Sequence, residues 1–154
     1  MPDRSLIGKE GQATTITVDA KAIADFAKAV GEENPVYFDA AAARAAGYPD
    51  VVAPPTYPIA FMSDSMDADL FFALDLNIPS IVHGEQEFEY FRPVVAGDRL
   101  TLKGRIANMW EKIGRSGALD FVLMEATATD ERGEPVYVSR TTLISKRQPK
   151  AEDE

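Results

Sequence analysis

Apolar and polar residues alternate along the second half of the chain. Ile81–Arg92, Arg99–Lys112, Leu119–Thr129 and Val136–Lys146 each carry this period of two, so four long strands are expected. Phe88 and Tyr90 fall on one face of their strand, and Phe121 and Leu123 on one face of theirs. Turn signals part the four segments at Ala96-Gly97-Asp98, Ser116-Gly117 and Arg132-Gly133. The first half reads differently. Thr14–Val18 alternates and predicts a first strand. Asp19 then caps a helix whose apolar positions are Ala22, Ile23, Phe26, Ala27 and Val30, with Gly31 at its end. Asp39 opens a second short helix, Ala40–Ala46, which Gly47 closes. Between the two lies Glu32–Phe38, where Pro35 forces Asn34 out of helical geometry.

Tyr48–Pro55 predicts a loop stiffened by Pro49, Pro54 and Pro55. From Thr56 an apolar segment with Ile59, Ala60, Phe61 and Met62 predicts a buried helix, broken near Asp67–Asp69 and resuming through Leu70–Leu74. Phe61, Met62, Phe71 and Phe72 are expected in the core. Residues 1–13 carry no strong pattern, and Arg147–Glu154 predicts a frayed, charged tail. The order is strand, helices, then four antiparallel strands, within a single domain of residues 1–146. A sheet with one apolar face needs a cover, and one long helix near the middle of the chain supplies it. That is an α+β hotdog fold, a curved antiparallel sheet wrapped around a central helix. A long free sheet edge invites association, so a dimer with a continuous sheet is expected.

Composition narrows the function. The 154 residues suit one core, with 45% hydrophobic and 27% charged residues. The net charge of -9 argues against a nucleic-acid surface and against an electrostatic anchor to anionic lipid. There are no cysteines and one histidine, so neither thiol chemistry nor a metal site is expected. No apolar leader follows Met1, and the run around Leu70–Leu76 is far shorter than a membrane span, which predicts a cytoplasmic protein.

Gly31-Glu32-Glu33-Asn34-Pro35-Val36-Tyr37, followed by Asp39, Ala42 and Ala46-Gly47-Tyr48, resembles the hydratase motif of MaoC-like dehydratases and R-specific enoyl-CoA hydratases. That family's pattern reads G-D-x-N-P-x-H. Tyr90-Phe91-Arg92-Pro93-Val94-Val95-Ala96-Gly97-Asp98-Arg99-Leu100 resembles the family's F-x-x-P-V-x-x-G-D-x-L strand and turn. The resemblance runs from about Ile7 to Ile144. It implies a hotdog that adds water to an enoyl thioester or removes it from a 3-hydroxyacyl thioester. No cofactor is implied. The reaction needs a base for water, an acid for the α-carbon and donors for the enolate oxygen.

Three substitutions separate this chain from the pattern. Glu32 replaces the motif Asp, and a shift of about 1 Å can cost roughly 10²-fold. Tyr37 replaces the motif His, and a phenol with an ordinary pKa of about 10 is a poor base at neutral pH. Pro55, in Ala53-Pro54-Pro55, has no N–H for the oxyanion, leaving the Thr56 N–H as the substitute. The Tyr and Ala-Pro combination resembles the substrate-binding subunits of heterodimeric (3R)-hydroxyacyl-ACP dehydratases, whose hotdog partner supplies Asp and His.

Candidate catalytic residues are therefore Glu32, Tyr37 and His83, and candidate substrate-binding residues Asn34, Pro55, Thr56 and Tyr57. Each also has a structural reading. Glu32-Glu33 makes a solvated acidic turn, Tyr37 a packing residue and His83 a structural histidine. If the chain acts alone, His83 with Glu32 or Glu85 is the substitute acid–base pair. Arg92, Arg99, Lys103 and Arg105 read as a solvated strand face or as contacts to carrier phosphates. Three functions remain open: a subunit of an acyl-thioester hydratase or dehydratase, a thioesterase using Glu32, and a non-catalytic acyl-thioester binding module. The resemblance implies an acyl-CoA or acyl-ACP thioester as the ligand, and a homodimer or a heterodimer with a catalytic hotdog as the assembly.

Overall fold

The computed structural model describes residues 3–115 and 117–147. Five antiparallel strands form one sheet: β1 (Thr14–Thr17), β2 (Val82–Tyr90), β3 (Arg99–Gly114), β4 (Gly117–Thr129) and β5 (Pro135–Lys146), in the order β1-β3-β4-β5-β2. The helices are α1 (Ala20–Ala29), α2 (Ala40–Ala45), α3 (Met62–Ser65) and α4 (Ala68–Ala73). This is the expected hotdog arrangement. The strands lie within a few residues of the alternating segments, because alternation is the direct consequence of a half-buried strand.

The inner face of β3 alternates Leu100, Leu102, Gly104 and Ile106, all buried. A bulge at Ala107 resets the register so that Met109 also points inward. Gly104 divides the core in two. On one side Leu100 and Leu102 pack with Val18, Ile23, Tyr57, Val94, Val136 and Tyr137. On the other, Ile106 and Met109 pack with Leu6, Leu70, Leu74, Val122 and Leu143. At Gly104 itself a side chain would overlap the Ser65 carbonyl oxygen, so the covering helix touches bare sheet backbone there.

The covering helix is not one long rod. It is a 3₁₀ segment at Tyr57–Phe61, then α3, then α4. The break falls at Met66-Asp67, where Asp67 is extended and its carboxylate accepts from the Leu70 N–H at 2.8 Å and from the Gln12 N–H at 3.0 Å. A carboxylate that caps α4 cannot at the same time sit in a continuing helix.

Phe121 and Leu123 share a face as expected, the outer one, where Phe121 stacks on Trp110 at 5.2 Å. Three expectations change. Phe72 is 65% exposed rather than core. The N-terminal segment forms an Asp3-capped turn that buries Leu6. Arg147, the first residue of the expected tail, is held by Asp120 and Glu111. Residues 148–154, like Ser116 of the expected turn, lie outside the described residues.

Candidate functional site

Both short helices stop at a glycine. At the end of α1, the Gly31 N–H donates to the Lys28 carbonyl and the Glu32 N–H to the Ala27 carbonyl, with Gly31 at φ 81°. α2 ends alike, with Gly47 at φ 94° donating to Arg44 and Tyr48 to Ala43. Both are Schellman closures, and left-handed backbone rather than crowding sets the residue type. Between them Pro35–Tyr37 makes one 3₁₀ turn, ordered by Asn34 Oδ1, which accepts from the Val36 N–H at 3.2 Å. The Val52 N–H donates to the Val36 carbonyl, and the Ala53 N–H to the Val94 carbonyl at 2.8 Å. Those bonds fix the loop against the segment that leaves β2.

The result is an open cavity of about 540 Å³. Asn34, Val36 and Tyr37 form one wall, Ala46 and Tyr48 another, and Val52, Ala53 and Pro55 a third; residues Tyr90 to Val94 complete it. The Tyr90 hydroxyl donates to the Pro55 carbonyl at 2.8 Å. Its ring lies 5.9 Å from that of Tyr137, and burial pushes both phenols far above their ordinary range. The Tyr37 phenol is raised as well, first by burial, then by the Glu32 carboxylate and by Tyr48. A raised phenol stays protonated near neutral pH, so Tyr37 is a hydrogen-bond donor there and not a base.

Arg92 reaches the same cavity with its charge already met. It donates to both Asp98 carboxylate oxygens, at 2.8 and 3.1 Å, and to the Pro93 carbonyl. Lys103 is paired with Glu10, and Arg105 with Glu125. These three cations support the sheet rather than stand free for a phosphate. Among the described residues, no three His, Asp or Glu side chains converge as a metal site.

Asn34, Tyr37 and Pro55 are thus brought together on the cavity wall. Glu32 is not on the wall, although its charge is felt at Tyr37. Thr56 is exposed beside Pro55, and its side chain makes no cap bond. Tyr57 belongs to the core: it is 2% exposed and meets Phe26 and Phe61 edge-to-face at 5.3 and 5.2 Å. His83 lies seven residues from Tyr90 along β2, roughly 20–25 Å away at about 3.3 Å per residue. There its Nε2 is 3.1 Å from Gln86 Oε1. Glu85 faces the opposite side of β2 from His83. Within one copy, therefore, His83 is assembled with neither Glu32 nor Glu85. Tyr48, Tyr90 and Phe91 also line the wall without being among the candidate residues; the Ala46-Gly47-Tyr48 step and the aromatic start of the Tyr90–Leu100 motif are the sequence signals that point to them.

A family model for the FAS1-like dehydratase domain region matches residues 5–139. This chain belongs to that family. It is 36% identical to a UPF0336 protein of Saccharopolyspora erythraea over 98% of this chain and 97% of that one. It is 38% identical to a UPF0336 protein of Streptomyces coelicolor over 94% and 95%. Among solved structures it resembles the HadBC (3R-hydroxyacyl-ACP dehydratase) complex of Mycobacterium tuberculosis, with a TM-score of 0.74 and 29% identity, over 88% of this chain and 96% of that one. It also resembles a MaoC-like dehydratase at a TM-score of 0.81 and 27% identity, covering 93% of this chain but 43% of the other. A FAS1-like dehydratase hotdog thus matches less than half of that longer dehydratase chain.

Proposed function

We propose that this chain is the substrate-binding subunit of a two-hotdog enzyme that dehydrates 3-hydroxyacyl thioesters or hydrates enoyl thioesters. The observation that carries the reading is the cavity wall itself. Where the reaction needs a base and an oxyanion N–H, the wall offers the protonated Tyr37 phenol and Pro55. Such a site binds and orients; a catalytic hotdog in trans supplies the proton transfers. The relatives support this, since one is a heteromeric dehydratase complex and another is a dehydratase chain more than twice as long as the matched segment.

In this reading, Asn34 and Pro55 shape the mouth of the cavity and the Thr56 N–H lies at its rim. Tyr57 acts from below, holding the Pro54-Pro55 loop through its packing. Tyr37 donates its hydroxyl hydrogen to the thioester carbonyl or to the substrate 3-hydroxyl. The ligand is an acyl thioester carried by coenzyme A or by an acyl carrier protein.

The test is turnover of a 3-hydroxyacyl thioester, followed by enoyl absorbance, with the chain alone and with a hotdog that retains Asp and His. Turnover only in the mixture is expected. Turnover by this chain alone would overturn the subunit reading, and release of free thiol would replace it with thioesterase chemistry.

A further inference from the structure

The sheet has two edges, and they differ. β1 has four residues, whereas β2 has nine and bears three glutamates. Gly84 is the extra residue of a bulge between His83 and Glu85. Beyond it, Glu85, Glu87 and Glu89 pair with Thr142, Arg140 and Val138 of β5 and share their outer face. Gln86, Phe88 and Tyr90 take the inner face. Arg140 is divided among Glu87 at 2.5 Å, Glu89 at 3.0 Å and Glu125 at 2.8 Å, and Glu125 also holds Arg105 at 2.7 Å. Glu85 has no cationic partner among the described residues. Four carboxylates share two guanidinium groups, so the strip is two charges negative.

We infer that the β2 edge chooses its partner by charge. It rejects a second copy of this chain and accepts an antiparallel edge strand of a different hotdog whose outward positions carry Lys or Arg. The inference rests on the two-subunit reading and adds the chemistry of the partner's edge. The repulsion holds in any register that keeps outer face against outer face. A sheet continues across an interface only when outer face adjoins outer face, and beyond the bulge every outer position of β2 is a glutamate. Two β2 strands overlapping at their centres therefore set glutamate against glutamate. With Glu87 opposite its own copy, for example, Glu85 stands opposite Glu89.

Directly opposed residues have Cβ atoms about 4.5–5.5 Å apart, and like charges at that spacing repel. Arg140 is already committed to three carboxylates and leaves no spare cation to relieve the contact. A slip of one residue would separate the glutamates but would put Phe88 and Tyr90 of the partner on the outer face. A basic strand meets each glutamate with an opposite charge instead. Val82, 56% exposed at the start of β2, adds an apolar contact to the same edge.

Sedimentation velocity of the full chain at low and high salt tests this. The comparison is wild type, Glu85→Gln/Glu87→Gln/Glu89→Gln and Glu85→Lys/Glu87→Lys/Glu89→Lys. The Gln variant is expected to self-associate about tenfold more tightly than wild type at low salt, or about 1.4 kcal/mol. That gap should close at high salt, where opposed surface charges are screened. An equimolar mixture of wild type and the Lys variant is expected to form a one-to-one dimer that neither forms alone. If a triple variant misfolds, Glu85→Lys is expected to pair with wild type in the same sense, since Glu85 holds no ion pair among the described residues. Wild-type self-association as tight as the Gln variant at low salt would overturn the inference, as would failure of the wild-type and Lys chains to pair. Neither result touches the subunit reading, which is decided separately by enoyl formation in the presence of a catalytic hotdog.

Discussion

The cavity and the outer sheet face use polar residues in opposite ways. The cavity is lined by tyrosines, prolines and small apolar residues, and its one guanidinium among the described residues is neutralised by Asp98. The outer face is a lattice of charges, with Arg140 and Arg105 converging on Glu125 and with Glu87 and Glu89 beside them. Where the family motif would place a carboxylate and a histidine, this chain keeps no base on the wall. Its charges instead stiffen the sheet and mark the β2 edge. On the proposed substrate-binding reading, the contrast teaches that a cavity's shape and its reactivity are separable, because shape comes from turns and packing and reactivity from a few titrating atoms.

The contrast can be broken first from the core that holds up the cavity. Tyr57→Ala removes a ring that two other aromatics meet edge-to-face and is expected to cost about 3–5 kcal/mol in urea unfolding. A loss comparable to a surface substitution would return Tyr57 to the list of substrate contacts. Next is Gly104→Ala, which forces the Ser65 carbonyl away from β3. About 1–3 kcal/mol is expected from overpacking, and a neutral result would mean that the covering helix floats on the sheet.

On the charged face, Arg140→Ala is expected to lower the urea midpoint by less than either core change, since a partly solvated ion pair contributes little to stability. The same network has a pH signature. Burial opposes ionisation of Glu125, but hydrogen bonds and charges from Arg105 and Arg140 outweigh it and hold the carboxyl below its ordinary 4.5. A depressed carboxyl stabilises the fold fully above the unfolded value and loses that contribution as pH falls through the folded one. Melting temperature should therefore fall as pH drops below about 4.5, and less steeply in Glu125→Gln; equal slopes would remove Glu125 from the account. The smallest effect on the fold is expected from Tyr37→Phe, within about 0.5 kcal/mol. Acyl-thioester binding by calorimetry should nonetheless weaken about tenfold, the value of one lost hydrogen bond. Unchanged affinity would make Tyr37 a wall and not a donor.

Much of the fold is legible locally. The period of two fixes β2 to β5, and Gly31 and Gly47 stop α1 and α2 through hydrogen bonds that span only a few residues. The Asn34-Pro35 turn is likewise a local object, and so it lies where the sequence predicts it. Phe72 departs from the expected core because an aromatic pattern marks apolar surface without saying what covers it. Tyr57 is covered by Phe26 and Phe61, while Phe72 remains open.

What the sequence determined by itself is the strand count, the two helix stops and the departures from the family motif at Glu32, Tyr37 and Pro55, because each is read from neighbours along the chain. Tertiary structure decided the rest. The Tyr90 hydroxyl reaches a carbonyl 35 residues away, Asp67 at the expected helix break also accepts from Gln12 across 55 residues, and Gly104 admits Ser65 where no periodicity marks a contact. It also carried His83 away from the cavity, since a stiff strand holds residues seven apart at opposite ends.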